Sequence, residues 1–252
     1  MKKILFIGIL FFSLFSTSSF ADDGKAKADA LYKQEKYAEA AAAYERLLSS
    51  EECVSAPLYY NLGNAYYKLD NIPLAILNYE RALLIEPGDG DIRANLALAR
   101  GKTVDKVTPQ SEMFFVTWWH NLCNSMSNHS WSIFAIACFV LMLCGVLVYV
   151  FVPQLWARKI GAYGAMVLLV LVVVANFAAY TENKAFANRN SAIVISPAVS
   201  VKSSPNDSST DLFVIHEGSK VEILDSSMKQ WREVKFEEGK QGWIPVSSIE
   251  VI

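Results

Sequence analysis

Apolar positions fall into four regimes along the chain. Lys2 and Lys3 lead into an apolar run from Ile4 to Phe15, and a small, polar stretch ends at Ser19-Phe20-Ala21 before Asp22-Asp23. This layout predicts a secretory signal peptide over residues 1–21, with an uncleaved signal anchor as the alternative. The run is short for a membrane span, which needs about 20 residues. Residues 22–106 then carry apolar side chains at helical spacing. Two unbroken apolar stretches follow, Trp131–Val152 and Ile160–Tyr180. From Ala192 onward the pattern changes to short β-rich runs separated by turn residues.

The helical regime repeats itself. Lys36-Tyr37-Ala38-Glu39-Ala40 through Tyr44-Glu45-Arg46-Leu47 matches Asn71-Ile72-Pro73-Leu74-Ala75 through Tyr79-Glu80-Arg81-Ala82, and the Tyr-Glu-Arg triplets lie 35 residues apart. A period near 34 predicts stacked helical hairpins. In the clearer second copy, Tyr59, Leu62, Gly63 and Tyr66 share one helix face, and Ala75, Tyr79 and Ala82 share another. Pro87 stops the chain just past the second helix. A further helix over about Asp91–Gly101, with Ile92, Leu96 and Ala99 on one stripe, is expected to cap the array. Two repeats and a cap are few for a stack, so contacts from elsewhere in the chain are expected. Tyr60, Asn64, Tyr67 and Lys68 fall on the inner face of the second copy's first helix. They are candidates for partner binding, with ordinary solvated helix surface as the alternative.

The two apolar stretches and their link run 50 residues. As one helix that would be about 75 Å, against roughly 30 Å of hydrocarbon. A hairpin is therefore predicted: spans at 131–152 and 160–180, a cytoplasmic turn at 153–159 carrying Arg158 and Lys159, and both flanks outside by the positive-inside rule. Met113–Asn128 precedes the first span and holds Phe114, Phe115, Trp118 and Trp119. Within the linker 107–130 it reads as an interfacial aromatic helix, with a disordered tether as the alternative. Trp156 and Tyr180 read as similar anchors. Gly161 and Gly164 offer a weak small-residue packing motif. Neither span carries an ionisable residue in its interior, which favours an anchor over a transporter.

Beyond a linker at 181–191, seven β-rich runs are expected in 192–252: 192–195, 199–202, 212–215, 221–224, 231–236, 242–245 and 249–252. So many short strands in about 60 residues predict a small barrel or sandwich. Trp231 and Trp243 belong either to its core or to a ligand surface.

Composition narrows the chemistry. The chain is 53% hydrophobic and 19% charged, with no Asp, Glu, Lys or Arg from Met113 to Ala157. A net charge of −2 argues against nucleic acid as a partner. His120, His129 and His216 have no metal-ligand spacing, and no nucleophile stands with a base and a third partner. No glycine-rich phosphate loop is present. Neither catalysis nor a cofactor is expected. Glu51-Glu52 and Glu237-Glu238 are read as solvated loop carboxylates. Cys53 and Cys123 are either bridged or two free thiols, and Cys138 and Cys144 do not share a helix face.

Three resemblances add to this reading. Tyr59, Leu62-Gly63, Tyr66, Ala75, Tyr79, Ala82 and Pro87 resemble the tetratricopeptide repeat signature, which the first copy departs from with Ala28 for the glycine and Leu31 for the aromatic. Val199–Ser203, His216-Glu217-Gly218, Trp231 with Val234, and Gly242-Trp243-Ile244-Pro245 resemble a bacterial SH3 domain. That resemblance implies an all-β SH3-like barrel and an association with peptidoglycan. It does not imply proline-peptide recognition, since the N-terminal aromatic motif of that groove is absent. The order of repeat array, membrane hairpin and SH3-like domain is similar to the BatE-like proteins of the Bat aerotolerance operon. It implies a non-enzymatic scaffold in an inner-membrane complex linked to stress or oxygen tolerance, with von Willebrand A-type membrane proteins as partners. The alternative is a cell-wall-binding anchor or regulator of wall enzymes.

Overall fold

The computed structural model describes residues 19–49, 54–106, 113–187, 190–236 and 239–252. Most of the expected leader, and Cys53, Glu51-Glu52 and Glu237-Glu238, lie outside them. Five helices build the repeat unit: α1 (Ser19–Lys33), α2 (Tyr37–Ser49), α3 (Ala56–Lys68), α4 (Ile72–Ile85) and α5 (Gly90–Gly101). The 35-residue period is visible in the backbone as well as in the sequence. Glu35 and Asp70 both adopt left-handed φ, 62° and 58°, where α1 and α3 turn into the next helix. At each turn an amide reaches back five residues, Lys36 to the Leu31 carbonyl and Asn71 to that of Tyr66, which satisfies carbonyls the helix end leaves open. The Asn71 side chain caps α4 at the Leu74 amide, and Asp89 caps α5 at Asp91 and Ile92.

The cores follow the same period. Ala28, Ala40, Ala41, Tyr44, Leu58, Leu62 and Ala65 close the first hairpin against α3. Ala75, Ile76, Tyr79, Ala82, Ile92, Leu96 and Ala99 close the second against the expected cap. Ala28, in the glycine position of the first copy, is fully buried.

Helices α6 (Phe114–Cys123), α7 (Asn128–Phe151) and α8 (Leu155–Ala187) follow. Among the described residues two segments, His129–Phe151 and Leu155–Thr181, are long and apolar enough to cross a membrane. They pack as a hairpin with apolar side chains outward, Phe151, Ile160 and Val167 among them. The close point is Gly145 against Gly161. A Cβ built on Gly161 would stand 2.7 Å from the Gly145 carbonyl oxygen, whereas one on Gly164 meets nothing within 4 Å. Of the expected pair, Gly161 alone sits at the close point, against Gly145 of the other helix.

Two boundaries differ from expectation. The turn is only residues 152–154, because Val152 is extended ahead of Pro153, as residues before proline are, and helix resumes at Leu155. Arg158 thus sits in the first turn of α8, where its Nε donates to the Tyr149 carbonyl at 3.1 Å and its guanidinium lies 5.1 Å from the Tyr149 ring centroid. At the other end α8 continues to Ala187 through the expected linker. Thr181–Ala187 contains neither glycine nor proline to stop it.

The described C-terminal residues form seven antiparallel strands: β1 (Ser191–Val194), β2 (Ala198–Lys202), β3 (Asp211–His216), β4 (Lys220–Asp225), β5 (Trp231–Lys235), β6 (Gln241–Pro245) and β7 (Ile249–Val251). The hydrogen-bonded order β3-β2-β6-β5-β4-β1-β7 is that of an open sheet with β3 and β7 at its ends. The link between β2 and β6 pairs Lys202 with Trp243. All seven strands nevertheless send a side chain into one core, from Ala192 and Val194 through Val201, Ile215, Val221 and Val234 to Ile244 and Ile249. Gly242 stands where a Cβ would come 2.5 Å from Val201 Cγ1.

This sheet supplies the contacts that the short repeat array needs. Ile193 and Ile252 point away from the sheet's own core and join that of α4 and α5. Full burial of two such side chains stabilises by roughly 3–6 kcal/mol. Polar contacts surround them. Glu80 of α4, 7% exposed, takes ion pairs from Arg100 and from Lys220 of β4, the latter at 2.8 Å. Arg81 donates to the Val251 carbonyl at 2.6 Å. Asp105 accepts from the His216 amide at 2.7 Å, the His216 ring at 2.9 Å and the Ser219 hydroxyl at 2.8 Å.

Candidate partner-binding groove

Helices α1, α3 and α5, with Tyr79 of α4, line a cavity of about 350 Å³ with Tyr32, Tyr60, Asn64, Tyr67, Lys68, Asn95 and Leu98. All four residues singled out from the sequence are brought together here. The heptad-like spacing of 60, 64, 67 and 68 places them on one face of α3, while Leu58, Leu62 and Ala65 on the opposite side are buried. Gly63 lets α4 approach closely, so that Tyr79 reaches past it into the groove: a Cβ at Gly63 would stand 2.7 Å from Tyr79 Cε1.

A hydrogen-bond chain fixes the floor. The Tyr79 hydroxyl donates to Asn64 Oδ1 at 2.7 Å, and Asn95 Nδ2 donates both to Asn64 Oδ1 and to the Tyr60 hydroxyl, each at 2.9 Å. Burial above all, then the neighbouring Tyr60, Tyr32 and Tyr67, pushes the Tyr79 phenol above its usual range, so it stays a neutral donor. The Tyr60 and Tyr79 rings lie 6.0 Å apart. On the rim, Lys102 sits 4.5 Å from the Tyr67 ring centroid and is paired with Asp70 at 2.9 Å. Lys68 is exposed on the same rim, and no ion pair engages it among the described residues. The lining contains no carboxylate. The groove is thus aromatic, rigid at its floor and richer in donors than in acceptors.

Sequence reasoning missed four contributors, among them Tyr79, whose signature position marks it as a packing residue. Asn95, Leu98 and Tyr32 come from helices treated only as packing elements. Tyr32 had a signal, since it lies 35 residues before Tyr67 and takes the same position in the first copy.

The second candidate surface is separate. Trp231 and Trp243 are half-buried and neither belongs to the sheet's core cluster. Val234 and Ile244 point inward, so on β5 and β6 the tryptophans take the outer face. Trp231 pairs across the strands with Pro245, and Trp243 with Glu233. Cys123 is a buried free thiol. No group of three or more potential metal ligands occurs among the described residues.

The family signature of the tetratricopeptide repeat matches residues 56–89, which are α3, α4 and the turn into α5. No curated protein is similar to the chain at a significant level. The chain therefore carries a repeat of a protein-interaction class.

Proposed function

We propose that this chain is a membrane-anchored, non-enzymatic adaptor whose repeat groove holds a segment of a protein partner. The observation that carries the reading is the groove itself: a preformed aromatic concavity whose Asn64 amide nitrogen and Lys68 ammonium are not engaged within the described residues. Such a lining suits an extended segment that offers carbonyl or carboxylate oxygens between apolar side chains. The hairpin is the anchor, and both the repeat unit and the sheet domain stand on its external face. The sheet domain is SH3-like in strand spacing and in the Gly242-Trp243-Ile244-Pro245 run. With that assignment the domain order is BatE-like, which supports an inner-membrane complex serving stress or oxygen tolerance, with von Willebrand A-type membrane proteins as partners.

A second reading is favoured by one observation. Trp231 and Trp243 stand outside the sheet's core, where they could meet a peptidoglycan glycan or stem peptide. The chain would then be a wall-binding anchor or a regulator of wall enzymes.

Affinity recovery from mild detergent separates the two. Tyr60→Ala with Tyr67→Ala should reduce recovery of von Willebrand A-type partners by at least the ~2 kcal/mol of an interface hot spot. Trp231→Ala with Trp243→Ala should leave it unchanged. The reverse pattern, with loss of cosedimentation on purified peptidoglycan in the tryptophan variant, assigns the chain to the second reading.

A further inference from the structure

Helix α6 packs one side against the spans and leaves the other exposed. Its Trp119, Leu122 and Cys123 pack against the outer end of α7 and α8: the Trp119 and Phe177 rings lie 5.4 Å apart, Trp131 Nε1 donates to the Cys123 carbonyl at 2.9 Å, and Thr181 Oγ1 approaches Cys123 Sγ at 3.3 Å. An exposed row of Phe114 (85% exposed), Phe115 (52%) and Trp118 (63%) runs along the edge of that packed side, with the polar Thr117 and Asn121 beyond it. No charged residue occurs between Met113 and Ala157 to make that side a solvated one. A water-facing row of three large aromatics is unusual on a soluble surface, and aromatic side chains of this kind favour the headgroup–acyl boundary. The row is continuous with the apolar outer surface of the hairpin, and α6 is pinned at the level where α7 begins and the apolar part of α8 ends.

The loop that follows α6 touches the repeat unit. A Cβ on Gly88, between α4 and α5, would stand 2.5 Å from the Ser125 carbonyl oxygen, so backbone meets backbone there. Arg93 of α5 donates to the Asn124 carbonyl at 2.9 Å.

We infer that α6 and its loop form a lipid-seated bracket. The Phe114, Phe115 and Trp118 face occupies the interface of the outer leaflet, and the 124–125 loop carries that position to the repeat unit through Gly88 and Arg93. The inference rests on the membrane-anchored reading and is independent of what the groove binds. The occupant is lipid, because the aromatic face continues the surface that the spans already offer to hydrocarbon.

Two measurements on the full chain in phosphatidylethanolamine–phosphatidylglycerol nanodiscs test it. Phe114→p-benzoylphenylalanine, photoactivated, should yield phospholipid adducts, as the same probe at Phe139 within the span must. Adducts to a second copy or to another protein, or none where position 139 gives them, would overturn the lipid seat. Phe114→Ser, Phe115→Ser and Trp118→Ser together should speed amide hydrogen exchange about tenfold across 86–93 as well as 113–125, while 56–82 stays protected. Unchanged exchange at 86–93 would overturn the coupling. Partner recovery through the groove reports separately on the adaptor reading.

Discussion

Gly63→Ala tests the packing that creates the groove. The added Cβ would lie 2.7 and 2.8 Å from Tyr79 Cε1 and Cδ1, and 3.3 Å from the Ala75 carbonyl oxygen. Carbon atoms pack at about 3.5–4.0 Å, so the ring must retreat by about 0.8 Å or more. It has little room: Tyr79 is 1% exposed and its hydroxyl is held by Asn64. Overpacking costs about 1–3 kcal/mol, and a strained or lost hydrogen bond about 1 more. Alanine in a helix interior gives back about 0.8–1 kcal/mol relative to glycine. The balance is a destabilisation of about 1–3 kcal/mol. Amide hydrogen exchange of α3 and α4 in the intact protein reads it, since one melting temperature is not well defined for a chain of several units. A double-mutant cycle isolates the cause. With Tyr79→Leu already present the ring is gone, and Gly63→Ala should then be neutral or stabilising. If Gly63→Ala protects α3 in the wild-type background, the close approach of α3 and α4 at Gly63 is not as described and the repeat register falls with it.

Further outcomes are expected. Glu80→Ala should loosen the sheet domain from the repeat unit, by less than the about 3–5 kcal/mol of a fully buried pair because Arg100 and Lys220 are each about 40% exposed; limited proteolysis between 182 and 190 would detect it, and unchanged cleavage would count against the interface. Burial raises the Asp105 carboxyl, but the His216 amide, the His216 ring and the Ser219 hydroxyl together hold it below its ordinary value of 3.8. A depressed carboxylate adds stability above its unfolded value and loses it as pH falls through the lower folded one, so the two domains should separate below about pH 4, and Asp105→Asn should flatten that dependence in exchange measurements of β1 and β7. Gly161→Val should weaken the hairpin while Gly164→Ala leaves it intact, read as the efficiency of a disulfide engineered across the spans. Cysteine labelling should place the exposed positions 39 and 229 outside and residue 154 inside, and external labelling of 154 would refute the orientation.

Much of the fold was legible because its signals are local. All seven β-rich runs meet observed strands within a residue or two at each end, since β-branched runs and Gly, Ser and Asp breaks are written in adjacent positions. The second repeat and the groove residues of α3 follow from 3.6-residue periodicity. What stayed hidden depends on distance. The Tyr-Glu-Arg triplet at 79–81 marks a repeat, yet its three side chains serve two surfaces: Tyr79 turns into the groove while Glu80 and Arg81 meet strands 140 and 170 residues away. In the first copy Glu45 instead takes the Tyr66 hydroxyl. Nothing in the triplet distinguishes these fates. Gly145 escaped for the same reason, because its partner Gly161 lies across the turn, whereas Gly164 has the better local spacing and no contact. The 181–187 segment is helical although it is polar and lies past an apolar span, because no glycine or proline stands there to stop the helix.

The joint between the repeat unit and the sheet domain also orders events during synthesis. Lys220 follows its partner Glu80 by 140 residues. At translation rates of about 5–20 residues per second, the repeat unit waits roughly 7–28 s before the strands that cover Ile76 and give Glu80 its second cation exist. On the membrane-anchored reading both spans must also be threaded before the last domain emerges beside the first. Throughout that interval the nascent repeat shows an apolar patch beside a carboxylate that only Arg100 engages, the kind of exposed surface a chaperone binds. On that reading, closure of the joint requires that the hairpin has been inserted with both ends on one side.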